Sequence, residues 1–408
     1  MRNTDNILDN QRAKFYLFLA FLSGLAIPIS TSLQNITIFL MISIALLEPK
    51  IRYELKSVIK NYFIILSILF YVVILLWSFI SYAPIKDIMR MLIKLRLFIL
   101  IPFIFAFFSV LNFRIASLYG FIIGVVISIL LSYVAFIFHI QIFNITLTDS
   151  FGDWAVFRYH TYHNYFIGVA IIGLLSLILY YGDKFSNKIK IFIFIVISIF
   201  AINILYIVVG RTGQILLILM SLIVLFFYNK KMLLLYLAGT FCIIFIVYFT
   251  SPAVKVELRG LNSDMKLYDK GDTRTSVGNR IDYIKFSYQL VKKHPIIGYG
   301  TGSYQYEYAK LNPFNSKYAP LHPHNDFYLF WVENGIIGLI IFVMMLLSIL
   351  YYSYKLRTPE GIIALSIVVS YIVGAFQGGF FQDNITNAAL IVMLAVLLSG
   401  NTLKFIKK

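Results

Sequence analysis

The sequence predicts an all-α polytopic membrane protein of about twelve transmembrane helices with one large, partly helical periplasmic loop. Hydrophobic residues make up 60% of the 408 residues and charged residues only 13%, whereas about a quarter of a soluble domain is charged. The apolar residues come in long blocks that can cross, or nearly cross, a bilayer, and lipid forces their backbones to be helical. These blocks lie at about 15–29, 33–47, 61–80, 91–111, 115–140, 164–182, 189–209, 212–228, 232–250, 327–353, 360–380 and 385–403.

The distribution of positive charge predicts the orientation of the chain. The net charge is +17, and Lys and Arg of membrane proteins concentrate in cytoplasmic loops. With a cytoplasmic N-terminus, eighteen Lys and Arg residues fall in cytoplasmic segments and six in the short opposite loops and adjoining helix ends. Both termini are therefore predicted to be cytoplasmic.

That orientation divides the chain into three parts. Residues 1–250 are expected to form transmembrane helices 1–9, residues 251–326 a large periplasmic loop, and residues 327–408 transmembrane helices 10–12. Within the loop, an amphipathic stretch at about 280–293 predicts a helix.

Two classes of function are disfavoured by what the sequence lacks. Away from their ends, the apolar blocks contain no Asp, Glu, Lys or Arg, although ion-coupled transporters place such groups in mid-membrane. A metal site is disfavoured because His322 and His324 have no cysteine or carboxylate cluster to complete a ligand set. Transport is therefore disfavoured, and no metal or other cofactor is expected.

Unusual polar residues collect at the predicted periplasmic rim. Arg211 stands in a Gly-Arg-Thr-Gly turn (210–213) between two apolar blocks. Such an arginine can simply anchor the chain at the headgroups, but positive charge on this side of the membrane favours a functional role. Arg280 opens the amphipathic helix of the loop, where a solvated surface charge is the ordinary role, as it is for Arg259 and Arg274.

His324 lies where the loop re-enters the membrane, at the start of the tenth block. A low-dielectric edge and the positive end of a helix both favour its neutral imidazole. A neutral imidazole can take a proton from a sugar hydroxyl. The alternative role is an interfacial histidine that hydrogen-bonds the loop.

Weaker candidates lie at the ends of other blocks. Lys86, Arg90 and Lys94 are spaced by four residues and so share one helical face. They can hold a phosphate or contact anionic lipid headgroups. His160 and His163 can contact sugars, although a capping and anchoring role is favoured for them.

Gly298, Gly300 and Gly302 superficially resemble a nucleotide-binding loop. Their Gly-x-Gly-x-Gly spacing and the absence of a strand-and-helix unit do not fit a dinucleotide fingerprint. They are expected to form a tight turn that allows close backbone approach.

Three elements, in order, carry a resemblance to a known family. They are the Gly-Arg-Thr-Gly turn, Asn279-Arg280 followed by a helix and the His-Pro-Ile-Ile-Gly-Tyr-Gly-Thr-Gly-Ser-Tyr segment (294–304), and the His-Asn to Glu-Asn-Gly-Ile-Ile-Gly segment (324–338). In these elements the chain resembles the O-antigen ligase and polymerase superfamily of bacterial membrane glycosyltransferases.

The resemblance implies an O-antigen ligase of the bacterial inner membrane, an enzyme of lipopolysaccharide biosynthesis. Such an enzyme moves a preassembled glycan from undecaprenyl pyrophosphate to a sugar hydroxyl of lipid A–core on the periplasmic side, without metal or ATP. It implies His324 as the general base and Arg211 and Arg280 as pyrophosphate contacts. The substrate contacts predicted on this basis are Arg211, Arg280, Lys94, Arg90, Asn325 and His163.

Two other functions stay open. An O-antigen polymerase would share the fold, the donor and the basic residues, although the His-Asn motif at the tenth block favours the ligase. A lipid or solute transporter or flippase would need buried charges along a central polar path. Membrane lipids are expected partners and nucleic acid is not, and the sequence does not predict the oligomeric state.

Overall fold

The computed structural model describes residues 10–140, 142, 153–270, 275–311 and 319–400, and the regular secondary structure within them is helical. The all-α prediction is confirmed for this part of the chain. The helices are α1 (Asn10–Ile29), α2 (Thr31–Leu47), α3 (Pro49–Val58), α4 (Tyr62–Ser78), α5 (Ile85–Leu95), α6 (Leu97–Phe107), α7 (Leu111–Phe138), α8 (His160–Tyr181), α9 (Asn187–Ile202), α10 (Arg211–Tyr228), α11 (Lys230–Thr250), α12 (Pro252–Asp269), α13 (Ser276–Lys293), α14 (Tyr304–Leu311), α15 (Asp326–Lys355), α16 (Pro359–Gln377) and α17 (Asn384–Leu398). A π-helical turn, Asn203–Ile207, follows α9.

Eight helices of the described residues are long and apolar enough to cross a membrane, namely α1, α7, α8, α9, α10, α11, α15 and α16. The chain is therefore a multi-pass membrane protein, but the predicted count of twelve spans is not confirmed. Helices α2 and α3 pass the same test only as a pair bent by 95°. Helices α4 and α17 are apolar but have 17 and 15 residues. The predicted block at 91–111 is divided between α5 and α6, which separate at Arg96.

Helices α1 and α7 cross so closely that glycine is needed at the contact. A Cβ on Gly24 would lie 1.8 Å from the carbonyl oxygen of Ser117, and a Cβ on Gly120 would lie 1.9 Å from that of Phe21. Lipid gives helices little hydrophobic reason to associate, so small residues that permit close approach hold spans together. Arg158, buried just before α8, donates to two carbonyl oxygens near the end of α1 (3.1 and 2.8 Å) and fixes the start of α8 there.

Helix α15 is interrupted at Gly335, whose φ of 64° and ψ of −168° are not helical. The loop 294–303 fills this break, and the N–H of Ile336 donates to the carbonyl oxygen of Pro295 (2.9 Å). Irregular backbone inside a span needs such protein partners because lipid supplies none. A side chain at this position has no room, since a Cβ on Gly335 would lie 2.0 Å from the carbonyl oxygen of Ile296.

The predicted loop 251–326 contains α12, α13 and α14, and its residues 271–274 and 312–318 lie outside the described part of the chain. The stretch at 280–293 is helical as predicted and forms most of α13. The side chain of Thr275 caps this helix by accepting from the N–H of Gly278 (3.1 Å). Helix α13 packs against α12, α14 and α15, which brings its start close to the start of α15.

Candidate functional site

A polar pocket of about 370 Å³ lies where the starts of α8, α10 and α13 meet the segment before α15 and the turn between α16 and α17. Its walls combine amide, hydroxyl and ionisable groups with aromatic rings. Converging polar groups in a concave site of this kind are the starting point for a binding-site hypothesis. The lining residues are Tyr159, Thr161, Tyr162, Thr212, Asn279, Arg280, Tyr283, His322, His324, Gln377, Gly378, Gly379, Phe380, Gln382 and Asp383.

His324 enters this pocket from a strained backbone. Its φ is 53°, in the left-handed region that costs a non-glycine residue about 1–3 kcal/mol. Its ring stacks on Tyr283, with centroids 5.6 Å apart and planes 12° from parallel. Burial, followed by the positive charge of Arg280, lowers the pKa of His324 below its ordinary value. The neutral imidazole, which can accept a proton, is therefore favoured at neutral pH.

Arg280 lines the same pocket as His324, near the start of α13. Arg259 lies on α12 with an exposed side chain and is not among the lining residues. Arg274 lies outside the described residues. Of the two loop arginines that the structure describes among these three, Arg280 is the one brought to the pocket.

Arg211 begins α10 from a turn whose glycines are required by packing. Gly210 has a φ of 128°, and a Cβ there would lie 3.0 Å from Cδ2 of His160. A Cβ on Gly213 would lie 2.3 Å from Cβ of Asn164. Both neighbours belong to α8. The Gly-Arg-Thr-Gly turn therefore packs tightly against α8, and this packing fixes the backbone position of Arg211.

The Arg211 turn reaches the pocket through the next residue. Thr212 is a lining residue, and its hydroxyl donates to Oε1 of Gln377 (3.4 Å). Arg211 itself is not among the lining residues. Beside the turn, Nδ1 of His160 pairs with Oδ2 of Asp153 at 2.9 Å.

The Gly-x-Gly-x-Gly loop is the tight turn predicted from the sequence. Its φ values are 76° at Gly298, 93° at Gly300 and 79° at Gly302, a region that favours glycine. The carboxylate of Glu333 accepts the N–H of Gly302 (2.9 Å) and the N–H of Tyr304 (3.2 Å). The glutamate of the Glu-x-Gly-x-x-Gly motif therefore holds this loop against α15, where it is 1% exposed.

The three basic residues spaced by four on α5 have different surroundings. Nζ of Lys94 donates to Oε1 of Gln382 (2.9 Å), a residue that lines the pocket. Arg90 pairs instead with Asp87 at 3.0 Å, and Lys86 is exposed. Of these predicted contacts, neither Lys94 nor Arg90 is a lining residue, but Lys94 is hydrogen-bonded to one, Gln382.

The structure does not bring the predicted contacts His163 and Asn325 to the pocket lining. His163 is 2% exposed, and its two ring nitrogens face Oγ of Ser128 and Oδ1 of Asn203, both at 3.2 Å. The amide oxygen of Asn325 accepts the N–H of Tyr328 (3.0 Å) and so caps α15. Both side chains have protein partners that explain their presence.

Sequence reasoning missed the turn that closes the pocket, residues 377–383. Asp383 caps α17 through its side chain and lines the pocket together with Tyr162. Asp326, the first residue of α15, accepts the N–H of Phe381 (2.9 Å) and ties the turn to α15. The available signal was a polar run, Gln-Gly-Gly-Phe-Phe-Gln-Asp, where two apolar blocks meet.

The pocket combines groups that can act together on a polar substrate. A neutral imidazole can accept a proton from a hydroxyl, and a guanidinium beside it can bind a phosphate oxygen. The carboxylate and amides of the opposite wall can bind further hydroxyls. Within the described residues, no group of three or more His, Cys, Asp or Glu is placed to hold a metal ion.

Two comparisons with known proteins bear on this site. Residues 196–343 match the family described as O-antigen ligase. An uncharacterized protein of Haemophilus influenzae is 27% identical over 113 residues, which are 26% of this chain and 28% of that protein. The chain thus spans little more than a quarter of the length of the curated relative that it matches.

Fold and site define a multi-pass membrane protein, helical in its described residues, with a polar pocket at one end of its helices. The family match covers Arg211, Arg280 and His324. The family match thereby confirms, over residues 196–343, the resemblance to the O-antigen ligase superfamily that the sequence motifs carry.

Proposed function

We propose that this protein is an O-antigen ligase, which transfers a preassembled glycan from undecaprenyl pyrophosphate to a sugar hydroxyl of lipid A–core. The reaction takes place on the periplasmic side of the bacterial inner membrane and needs neither metal nor ATP. The observation that carries the proposal is the shared pocket of Arg280 and His324, with Thr212 of the Arg211 turn on the same lining. The family match over these residues supports it.

His324 acts as the general base. Its neutral imidazole takes the proton from the acceptor hydroxyl as the oxygen of that hydroxyl forms a bond to the anomeric carbon of the glycan. The bond between the anomeric carbon and the pyrophosphate oxygen breaks, and its electrons leave with undecaprenyl pyrophosphate. With the base and the leaving group on opposite faces of the sugar, the anomeric centre is inverted. The lowered pKa of His324 supports this role because the base is free at neutral pH.

Arg211 and Arg280 bind the pyrophosphate. Negative charge grows on the leaving group as the glycosidic bond breaks, and fixed guanidinium donors stabilise that charge. A donor of this kind is typically worth about 2.7–4 kcal/mol of transition-state stabilisation. Lys94 supports the same wall from behind through Gln382. The energy of the reaction comes from the donor bond.

An O-antigen polymerase is the second candidate, since the family match is compatible with joining lipid-linked repeat units. A lipid or solute transporter or flippase is the rival from another class. A deletion strain separates the three when its lipopolysaccharide is resolved on a silver-stained gel.

For a ligase we expect complete loss of O-chains and accumulation of undecaprenyl-linked polymer, both reversed by the wild-type gene. Lipid A–core with a single repeat unit would identify a polymerase instead. Unchanged lipopolysaccharide would contradict both enzymes. For a transporter, purified protein in detergent would fail to join an undecaprenyl-pyrophosphate-linked glycan to lipid A–core.

A further inference from the structure

We propose that His322 is a positioning residue for His324, acting as a side-chain hydrogen-bond acceptor that holds the backbone turn from which His324 enters the pocket. The proposal deepens the proposed function and rests on it for the catalytic role of His324. The two histidines have different contacts. The imidazole of His322 accepts a hydrogen bond from the backbone, whereas that of His324 stacks on Tyr283 in the pocket.

The first observation is the backbone of His324. Its φ of 53° lies in the left-handed region, which a non-glycine residue keeps only where its surroundings enforce it. The N–H of His324 donates to Nδ1 of His322 at 3.1 Å. A side-chain acceptor that binds the N–H two residues later is the geometry by which Asn and Asp stabilise turns. His322 therefore holds the backbone up to the amide of His324, the point from which the left-handed residue continues.

The second observation is the way the two rings meet. The His322 and His324 centroids lie 4.4 Å apart with planes inclined by 55°, and Tyr283 stacks on His324 at 5.6 Å. The ring of His324 thus has an aromatic neighbour from α13 and another from its own segment. Two such neighbours restrict rotation of the imidazole, and a base must be held within a narrow range of orientations to be effective.

The third observation concerns the protonation of His322. Because Nδ1 accepts a hydrogen bond, the neutral ring carries its proton on Nε2. Burial, followed by the neighbouring His324 and Lys94, lowers the pKa of His322 to about 3. The ring therefore stays neutral and keeps its acceptor at neutral pH. Protonation would turn Nδ1 into a donor and break the contact with the backbone.

Three substitutions of His322 test the acceptor role in the full-length protein purified in detergent. In H322N, Oδ1 stands at the same number of bonds from Cα as Nδ1 of histidine, so the contact is kept. H322Q carries the same amide one bond farther out, and H322A has no acceptor. Two quantities are measured: transfer of an undecaprenyl-pyrophosphate-linked glycan to lipid A–core, and hydrogen–deuterium exchange of the backbone amides in the peptide 319–326.

We expect H322N to keep kcat within about threefold and to keep the His324 amide protected. H322A and H322Q should lose roughly ten- to a hundredfold in kcat with little change in KM, and should expose that amide. Full activity of H322A would overturn the proposal. So would an H322N variant that protects the amide but is as inactive as H322A, because the imidazole itself would then be required.

Failure of the proposed function gives a different result. If the wild-type protein transfers no glycan to lipid A–core, the ligase proposal is lost, but the exchange measurement still decides whether His322 holds the turn. Protection in H322N together with exposure in H322A and H322Q supports the positioning role. Equal protection in all three variants refutes it.

Discussion

Two parts of the motif region differ in what their residues contact. In the first part, His324 and Arg280 line the polar pocket from the segment before α15 and from α13. In the second, which we call the framework part, Glu333 accepts hydrogen bonds from backbone N–H groups. Gly335 lies where α15 is broken, packed closely against the carbonyl oxygen of Ile296. One part places groups where a substrate can reach them, and the other fixes the backbone that carries them. Substitutions in the two parts should therefore have separable effects on transfer and on folding.

The largest loss of transfer is expected for H324A. Without the imidazole, the acceptor hydroxyl has no positioned base, and such a base contributes about 10²- to 10⁴-fold. The folded protein should remain, because the ring lies in a pocket and not in the helix core. The rate is measured with purified protein and the lipid-linked glycan donor, and the folded fraction by thermal unfolding in detergent.

His294 provides the control, since its exposed side chain packs on Tyr299 in the loop 294–303, away from the pocket lining. H294Q should transfer glycan at the wild-type rate. Undiminished transfer by H324A would contradict the role of His324 as the base.

The next largest effect is expected for R280A. Removing a fixed donor to the growing charge on the pyrophosphate should reduce kcat by about 10²- to 10³-fold. R259A is the matched control, because Arg259 belongs to the same loop but is not among the pocket-lining residues. Equal losses in the two variants would mean that overall positive charge of the loop, and not the pocket position of Arg280, supports transfer.

The framework part is tested by G335A. The added methyl group would overlap the carbonyl oxygen of Ile296 and force a left-handed alanine, each at a cost of about 1–3 kcal/mol. We expect a lower midpoint of thermal unfolding and a lower folded yield. The control is G239A, because a Cβ on Gly239 in α11 meets nothing within 4 Å. A G335A protein as stable as G239A would remove the distinction between the two parts.

A smaller effect is expected in the pH dependence of transfer. His324 must be neutral to act as a base, and burial and Arg280 lower its pKa. The rate should rise with pH through that lowered pKa and stay level above it. R280Q removes the positive charge of Arg280 and should therefore raise the pKa of His324. The rising limb of the pH–rate profile, measured on the residual activity of this variant, should move to higher pH. The other ionisable groups around this pair are unchanged in the variant, namely Tyr283, His322, Lys94 and Asp383. A limb that stays in place would exclude His324 as the titrating group.

The sequence predicted the parts of the fold that depend on local composition. Long apolar blocks and the amphipathic stretch of α13 are helical because lipid and helix periodicity each dictate the backbone. The predicted count of twelve spans was not confirmed, because hydropathy does not reveal where a helix breaks, as the block at 91–111 does between α5 and α6.

Sequence analysis proposed the pocket residues that belong to a recognisable motif. It missed those that reach the pocket only through the packing of helices. His324 and Arg280 were predicted from their motifs, and both line the pocket. Asp383 was missed because its polar run lies between two apolar blocks and meets the pocket only when α17 packs beside α5 and α16. His163 was included because spacing cannot reveal that its ring is enclosed by α7 and the π-helical turn.

The residues of α5 give the smallest expected effect and lie between the two parts of the comparison. Their spacing of four predicted one shared role, but Lys94 bonds Gln382 of the pocket wall while Arg90 pairs with Asp87. K94Q should reduce kcat by about three- to tenfold, because it removes a positive charge near the pyrophosphate and a bond that holds the wall. R90Q should change kcat by less than about twofold, as expected for a half-exposed ion pair. Equal reductions in both variants would show that α5 acts through its total positive charge. The bond between Lys94 and Gln382 would then have no separate role in supporting the pocket.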